Sequence, residues 1–179
     1  MIAQTSPEPG SRTHALLSEL YGLAKGRVEE HLNAHLIAAW DPFVPDPATD
    51  RTVSLADLAR QLDRPVAVIG PLVRHVWHCA VHAAPDDPRL TDVQWAGIAV
   101  DIVGTAGIAP SGDDQACRWI VLRHAADHIH IVATLTRQDG RKPNLRGNWF
   151  AMRAACCRAE TRYGLRRTTP PSTGDVRSH

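Results

Sequence analysis

The chain lacks any run of about 18 apolar residues, so no helical membrane span and no membrane partner are expected. It also lacks a Cys-x-x-Cys pair, which argues against a zinc ribbon or a dithiol redox motif. Met1 to Gly10 offer neither a basic start nor an apolar stretch, so no secretory signal is read there and the expected location is the cytoplasm. Four cysteines agree with a reducing compartment. Cys79 and Cys117 stand alone in apolar runs, and a bridge between adjacent Cys156 and Cys157 would be strained. No internal repeat is visible. What remains is an ordinary globular composition: 179 residues, 44% hydrophobic and 22% charged, enough chain to bury a core without crosslinks.

The net charge of +1 hides an asymmetry. Between Arg137 and Arg167 there are nine basic residues against Asp139 and Glu160, while the other 148 residues carry 11 basic and 17 acidic groups. That split suggests one face that meets a polyanion, with a solvated basic helix as the bland alternative.

Hydrophobic spacing sets out the elements. Residues 1–12, rich in Pro, Ser and Gly, read as a disordered tail, and 168–179 as a second one, leaving a single domain over 13–167. A helix is expected from Thr13 (as N-cap) through Leu16, Leu17, Leu20 and Leu23, and another from Val28 to Trp40. Ser54 followed by Asp57 is a capping pair for a short helix to Leu62. Val73 to Ala83 alternates as a strand, and Thr91 to Ala106 is an amphipathic helix with Trp95, Ile98, Ala99, Ile102 and Val103 inward. Cys117–His124 and His128–Thr136 form an antiparallel hairpin across Ala125-Ala126-Asp127, and Trp149 to Tyr163 is a basic helix ended by Gly164. The expected architecture is α+β, an antiparallel-sheet palm with helices on one face.

Ten histidines are many for this length, and three fall in His124-Ala-Ala-Asp127-His128-Ile-His130. On a strand, His128 and His130 share a face, and His124 reaches the same face from the paired strand. Three imidazoles at one end of a rigid sheet are a metal-site geometry, open to Mg2+ or Mn2+ with Zn2+ or Ni2+ as alternatives. Asp127 in the turn and His78 on the preceding strand are candidates for supporting contacts; His82 shares the face of His78. His31, His35 and His75 carry less signal.

The run from Cys117 to Leu135 resembles the metal-binding motif of relaxases, the mobilisation nucleases of the His-hydrophobe-His endonuclease superfamily. The likeness extends to His75-Val-Trp-His-Cys, Gly107-Ile-Ala-Pro and Glu160-Thr-Arg-Tyr-Gly-Leu-Arg-Arg167, and is nearest to relaxase-like proteins of actinomycete plasmids. The resemblance implies a relaxase-like palm whose ion, held by His124, His128 and His130, polarises the scissile phosphate of single-stranded DNA at a plasmid transfer origin. It implies a tyrosine nucleophile on the N-terminal helix. Here Leu16-Leu17-Ser18-Glu19-Leu20-Tyr21 puts Glu19 at the matching position and Tyr21 two residues on, about 200° round a helix. Tyr21 as a displaced nucleophile, or Glu19 as metal ligand or general base, are therefore the catalytic candidates. Arg137, Arg141, Lys142, Arg146 and Trp149 would follow the DNA. The alternatives are a metal-dependent enzyme on the same scaffold acting on a small molecule, for example in secondary metabolism, with Glu19 in place of the tyrosine, and a non-catalytic DNA-binding remnant.

Overall fold

A computed structural model describes residues 1–22, 34–69 and 74–168. Five antiparallel strands form one sheet in the order β1-β3-β5-β4-β2: β1 (Ile2–Thr5), β2 (His35–Ala39), β3 (Val76–His82), β4 (Cys117–Arg123) and β5 (His128–Arg137). The helices are α1 (Thr13–Leu20), α2 (Leu55–Leu62), α3 (Arg64–Ile69), α4 (Asp92–Thr105) and α5 (Asn148–Tyr163). The α+β antiparallel architecture is the expected one. None of the helices is long and apolar enough to cross a membrane.

Strand alternation divides the core in two. Trp77, Cys79, Val81, Ile129, Ile131 and Ala133 point to one face and pack under α4 and α5 with Trp95, Ile102, Met152 and Ala155. Val76, Val132, Ile120 and Leu122 point to the other, where Leu17 and Leu20 of α1 and Leu58 and Leu62 of α2 cover them. The second, smaller helical layer goes beyond the expectation of helices on one face. Among the described residues it covers that face at one end only. Toward the other end the same face continues as His78, Ala80, His82, His128 and His130, all half-buried. That stretch carries polar side chains of the face.

Local signals account for the frame. Two helices start with full capping boxes, Ser54 with Asp57 on α2 and Thr91 with Gln94 on α4. Each contributes about 1 kcal/mol. Gly164, at φ 65°, ends α5 in the left-handed region that glycine enters without a Cβ penalty. Cys79, Cys117 and Cys156 are buried free thiols and Cys157 is an exposed one.

Four expectations are corrected. Residues 1–12 are not a loose tail: Ile2–Thr5 pairs with β3, Gly10 bridges to Val76, and Met1 is buried. What holds this segment is backbone pairing and a buried terminal amine on Glu160 at 2.9 Å, neither of which shows in composition. The expected helix from Val28 to Trp40 is a strand over His35–Ala39, because pairing with β4 outweighs a weak helical spacing; its earlier part lies outside the described residues. Thr13 is not the N-cap of α1, a position held by Arg12; its hydroxyl instead donates to Asp63 at 2.8 Å. The short helix α3 was not anticipated. Of the expected tail 168–179, Thr168 is bonded to Met1 and the remainder lies outside the described residues.

Candidate metal centre

The β4–β5 hairpin brings His124, His128 and His130 together, with one ligand-capable nitrogen from each lying within 4.8 Å of the others. His128 and His130 are there because β5 alternates, and His124 because the hairpin returns β4 beside β5. Arg123 fixes the turn. Its guanidinium donates to the carbonyls of Ala125 at 3.0 Å, Ala126 at 3.1 Å and Leu90 at 3.0 Å, and pairs with Asp92, which His35 also meets at 3.1 Å. The Ala125 and Ala126 bonds hold the turn itself, and those to Leu90 and Asp92 tie the hairpin to the N-terminus of α4.

Each triad ring is held by its Nδ1. His124 Nδ1 meets the Leu20 carbonyl, at the C-terminal end of α1, at 3.3 Å. His128 Nδ1 meets Asp127 at 2.8 Å, and His130 Nδ1 meets His78 Nε2 at 2.9 Å. Anchoring one ring nitrogen so that the other faces inward is the usual way a protein orients imidazole ligands. The partial negative charge at the end of α1 also favours a cation at that point.

The donor set tests whether an ion fits. A carbonyl and a carboxylate only accept, so His124 and His128 both carry their proton on Nδ1. Their Nε2 atoms face each other at 2.7 Å. Two neutral rings in those tautomers would oppose bare lone pairs at that distance, which repels unless a proton or a metal ion lies between them. Ligands on a tetrahedral zinc stand about 3.3 Å apart for bonds of about 2.05 Å, so a small opening of this pair admits one. The residues fit a divalent ion.

Electrostatics favour the neutral form of His130, His78 and His82. Burial first, then the imidazoles of His78, His124, His128 and His82, hold His130 down at about 2. Burial lowers His78 too, opposed by the Glu19 carboxylate. His82, stacked on His128 at 4.7 Å, is lowered by burial and by that neighbour. The His128 hydrogen bond holds Asp127 below the usual carboxylate range. Neutral imidazole is the form that binds metal.

Other expected site residues are placed differently. Tyr21, the C-cap residue of α1, donates its hydroxyl to Asp46 at 2.9 Å, and burial with that carboxylate pushes its pKa up. It lines a cavity with His14, Ser18 and Ser54 on the other side of α1. Glu19 is exposed, and its negative charge acts on His78 against the effect of burial. Arg137 lies at the opposite end of β5 from His128, about 30 Å along a ten-residue strand. There it is engaged by Asp113 and Asp139, and Arg141 shares Asp139. Further along, Arg158 pairs with Asp101 and Arg153 with Glu160, and α5 covers the sheet face opposite the histidines. Lys142, Arg146 and Trp149 are exposed, and Trp149 packs edge-on against Phe150. The structure therefore places Arg137 and Arg141 at the far end of β5 from the triad. His31 lies outside the described residues. What sequence reading missed is Leu20, whose contribution is a backbone carbonyl, and Arg123, whose role depends on where the hairpin turns.

Compared with protein-family models, with curated proteins and with solved structures, the chain has no match in any of the three.

Proposed function

We propose that this protein is a divalent-metal-dependent phosphodiesterase of the relaxase type that nicks single-stranded DNA by hydrolysis, with His124, His128 and His130 holding the ion. The convergence of three imidazole nitrogens within 4.8 Å at one end of a sheet carries the proposal. The motif resemblance supplies the substrate class. An all-nitrogen donor set favours Mn2+, Zn2+ or Ni2+ over Mg2+, which prefers oxygen. Such an ion supplies Lewis-acid polarisation of a phosphoryl oxygen.

The chain's own residues do the rest. The Leu20 carbonyl, Asp127 and His78 orient the triad rings. Glu19, an exposed carboxylate whose charge reaches His78, is the proposed acceptor of a proton from an attacking water. As water adds to phosphorus, the ester bond to the leaving oxygen breaks and that oxygen takes up the proton that Glu19 accepted. Tyr21 takes no part, because its hydroxyl is committed to Asp46. The expected result is metal-dependent nicking of a single-stranded oligonucleotide that survives Tyr21→Phe, falls at least 100-fold in His128→Ala, and leaves no protein–DNA adduct. An adduct on Tyr21 would refute it.

One observation favours a second reading, a small-molecule substrate at the same centre. The basic residues that would track a DNA backbone start at the far end of β5 and are partly neutralised by Asp113, Asp139, Asp101 and Glu160. DNA binding to the triad face would leave a steep salt dependence; metal binding without DNA affinity at moderate salt would support the small molecule. Salt-dependent DNA binding indifferent to metal would mark a non-catalytic DNA-binding protein.

A further inference from the structure

We infer that His78 is a positioning residue for His130, and that with Ser6 it forms a tautomeric relay deciding whether His130 can offer its Nε2 lone pair to an ion. The inference rests on the metal reading above and deepens it.

The relay is continuous. Ser6 Oγ lies 3.3 Å from His78 Nδ1, and His78 Nε2 lies 2.9 Å from His130 Nδ1. The two rings stack at 5.1 Å between centroids with 23° between planes. Ser6 directly follows β1, and its own N–H donates to the His78 carbonyl at 3.1 Å, which fixes its side chain beside that ring. The Leu20 carbonyl at His124 and the Asp127 carboxylate at His128 can only accept. His130 differs because an imidazole is its anchor, and an imidazole nitrogen can donate or accept.

Two arrangements of the same neutral atoms follow. In the first, His130 Nδ1–H donates to His78 Nε2, His78 Nδ1–H donates to Ser6 Oγ, and His130 Nε2 is a bare lone pair. In the second, His78 Nε2–H donates to His130 Nδ1, Ser6 Oγ–H donates to His78 Nδ1, and His130 carries its proton on Nε2. Going from the second to the first, the His78 Nε2 proton passes to His130 Nδ1 and the Ser6 proton to His78 Nδ1. Ser6 recovers a proton from water, and the His130 Nε2 proton leaves to water. Net charge is unchanged. Only the first arrangement has a ligand at His130. The consequence is that the N-terminal strand belongs to the metal centre, since its docking against β3 delivers Ser6 to the end of the relay.

The test uses the full chain labelled with 15N-histidine, read by long-range 1H–15N correlation before and after addition of Zn2+, a diamagnetic probe. The first arrangement is expected in the loaded protein: His78 and His130 protonated on Nδ1, with the His130 Nε2 resonance moved by zinc. His78→Phe, which removes the acceptor, is expected to weaken Zn2+ binding 10- to 100-fold, with His78→Gln recovering most of it and Ser6→Ala losing a few-fold. His78 protonated on Nε2 in the zinc-loaded protein, or His78→Phe binding zinc as the wild type does, would overturn the relay while leaving the triad site standing. A wild-type chain that takes up no zinc at all would remove the metal reading and the relay together.

Discussion

Glu160→Gln is a sharp probe of how the N-terminus and α5 are held. The carboxylate is 3% exposed, and its Oε1 accepts from the Met1 ammonium at 2.9 Å, Arg153 at 3.0 Å and the Thr168 N–H at 3.3 Å. The amide has the same shape but leaves two cations facing a neutral group. Removing one partner of a buried pair costs about 3–5 kcal/mol; because Arg153 is partly hydrated, about 3 kcal/mol is expected here. For a chain of this size that lowers Tm by about 6–12 °C. Those partners outweigh burial and hold the Glu160 carboxyl below its ordinary range. Its stabilisation is therefore present above the unfolded value of about 4.3 and is lost as pH falls from there through the depressed folded value. Urea unfolding of both chains at pH 7 and at steps down to pH 3 reads both effects, with the gap closing in acid and m unchanged. A gap under 1 kcal/mol at pH 7, or one that does not vary with pH, would refute the reasoning.

Other substitutions probe the frame and the centre separately. Arg123→Met should weaken Mn2+ or Zn2+ binding at least 10-fold in a calorimetric titration, because the turn carrying His124 and His128 loses its carbonyl anchors. Tyr21→Phe should cost about 1–2 kcal/mol in urea unfolding, from the lost bond to an Asp46 oxygen that keeps only the Ala48 N–H, with metal affinity unchanged. Gly107→Ala should be among the more damaging surface-loop changes: φ is +82° and the added Cβ would run into the Asn144 carbonyl, so a loss above about 2 kcal/mol is expected by the same assay. Thr91→Ala should cost about 1 kcal/mol through its N-cap bond to Gln94.

The regular second half of the chain was legible because local and tertiary signals agree there. Thr91 caps, Trp95 and Ile102 face in, and the alternation of β3, β4 and β5 puts the histidines on one side. The first half was less so. Ile2–Thr5 is a strand only because β3 offers an edge to pair with, and His35–Ala39 only because β4 does. The triad was readable from spacing, since period-two alternation and a short hairpin leave few alternatives. Its supports were not. The Leu20 carbonyl belongs to a helix terminus over a hundred positions away, and local charge counting gave no warning that Arg137 and Arg158 would be absorbed by Asp113 and Asp101.

Isothermal titration of the purified chain with Mn2+ and with Zn2+, beside His124→Ala, His128→Ala and His130→Ala, tests the metal centre most directly. One ion per chain is expected, with each alanine variant weakening it at least 100-fold and with unfolding stability rising by about 2.7 kcal/mol when the ion is present at 100 times its Kd. A wild-type chain that binds neither ion, or alanine variants that bind as tightly as it does, would contradict the assignment of these three histidines.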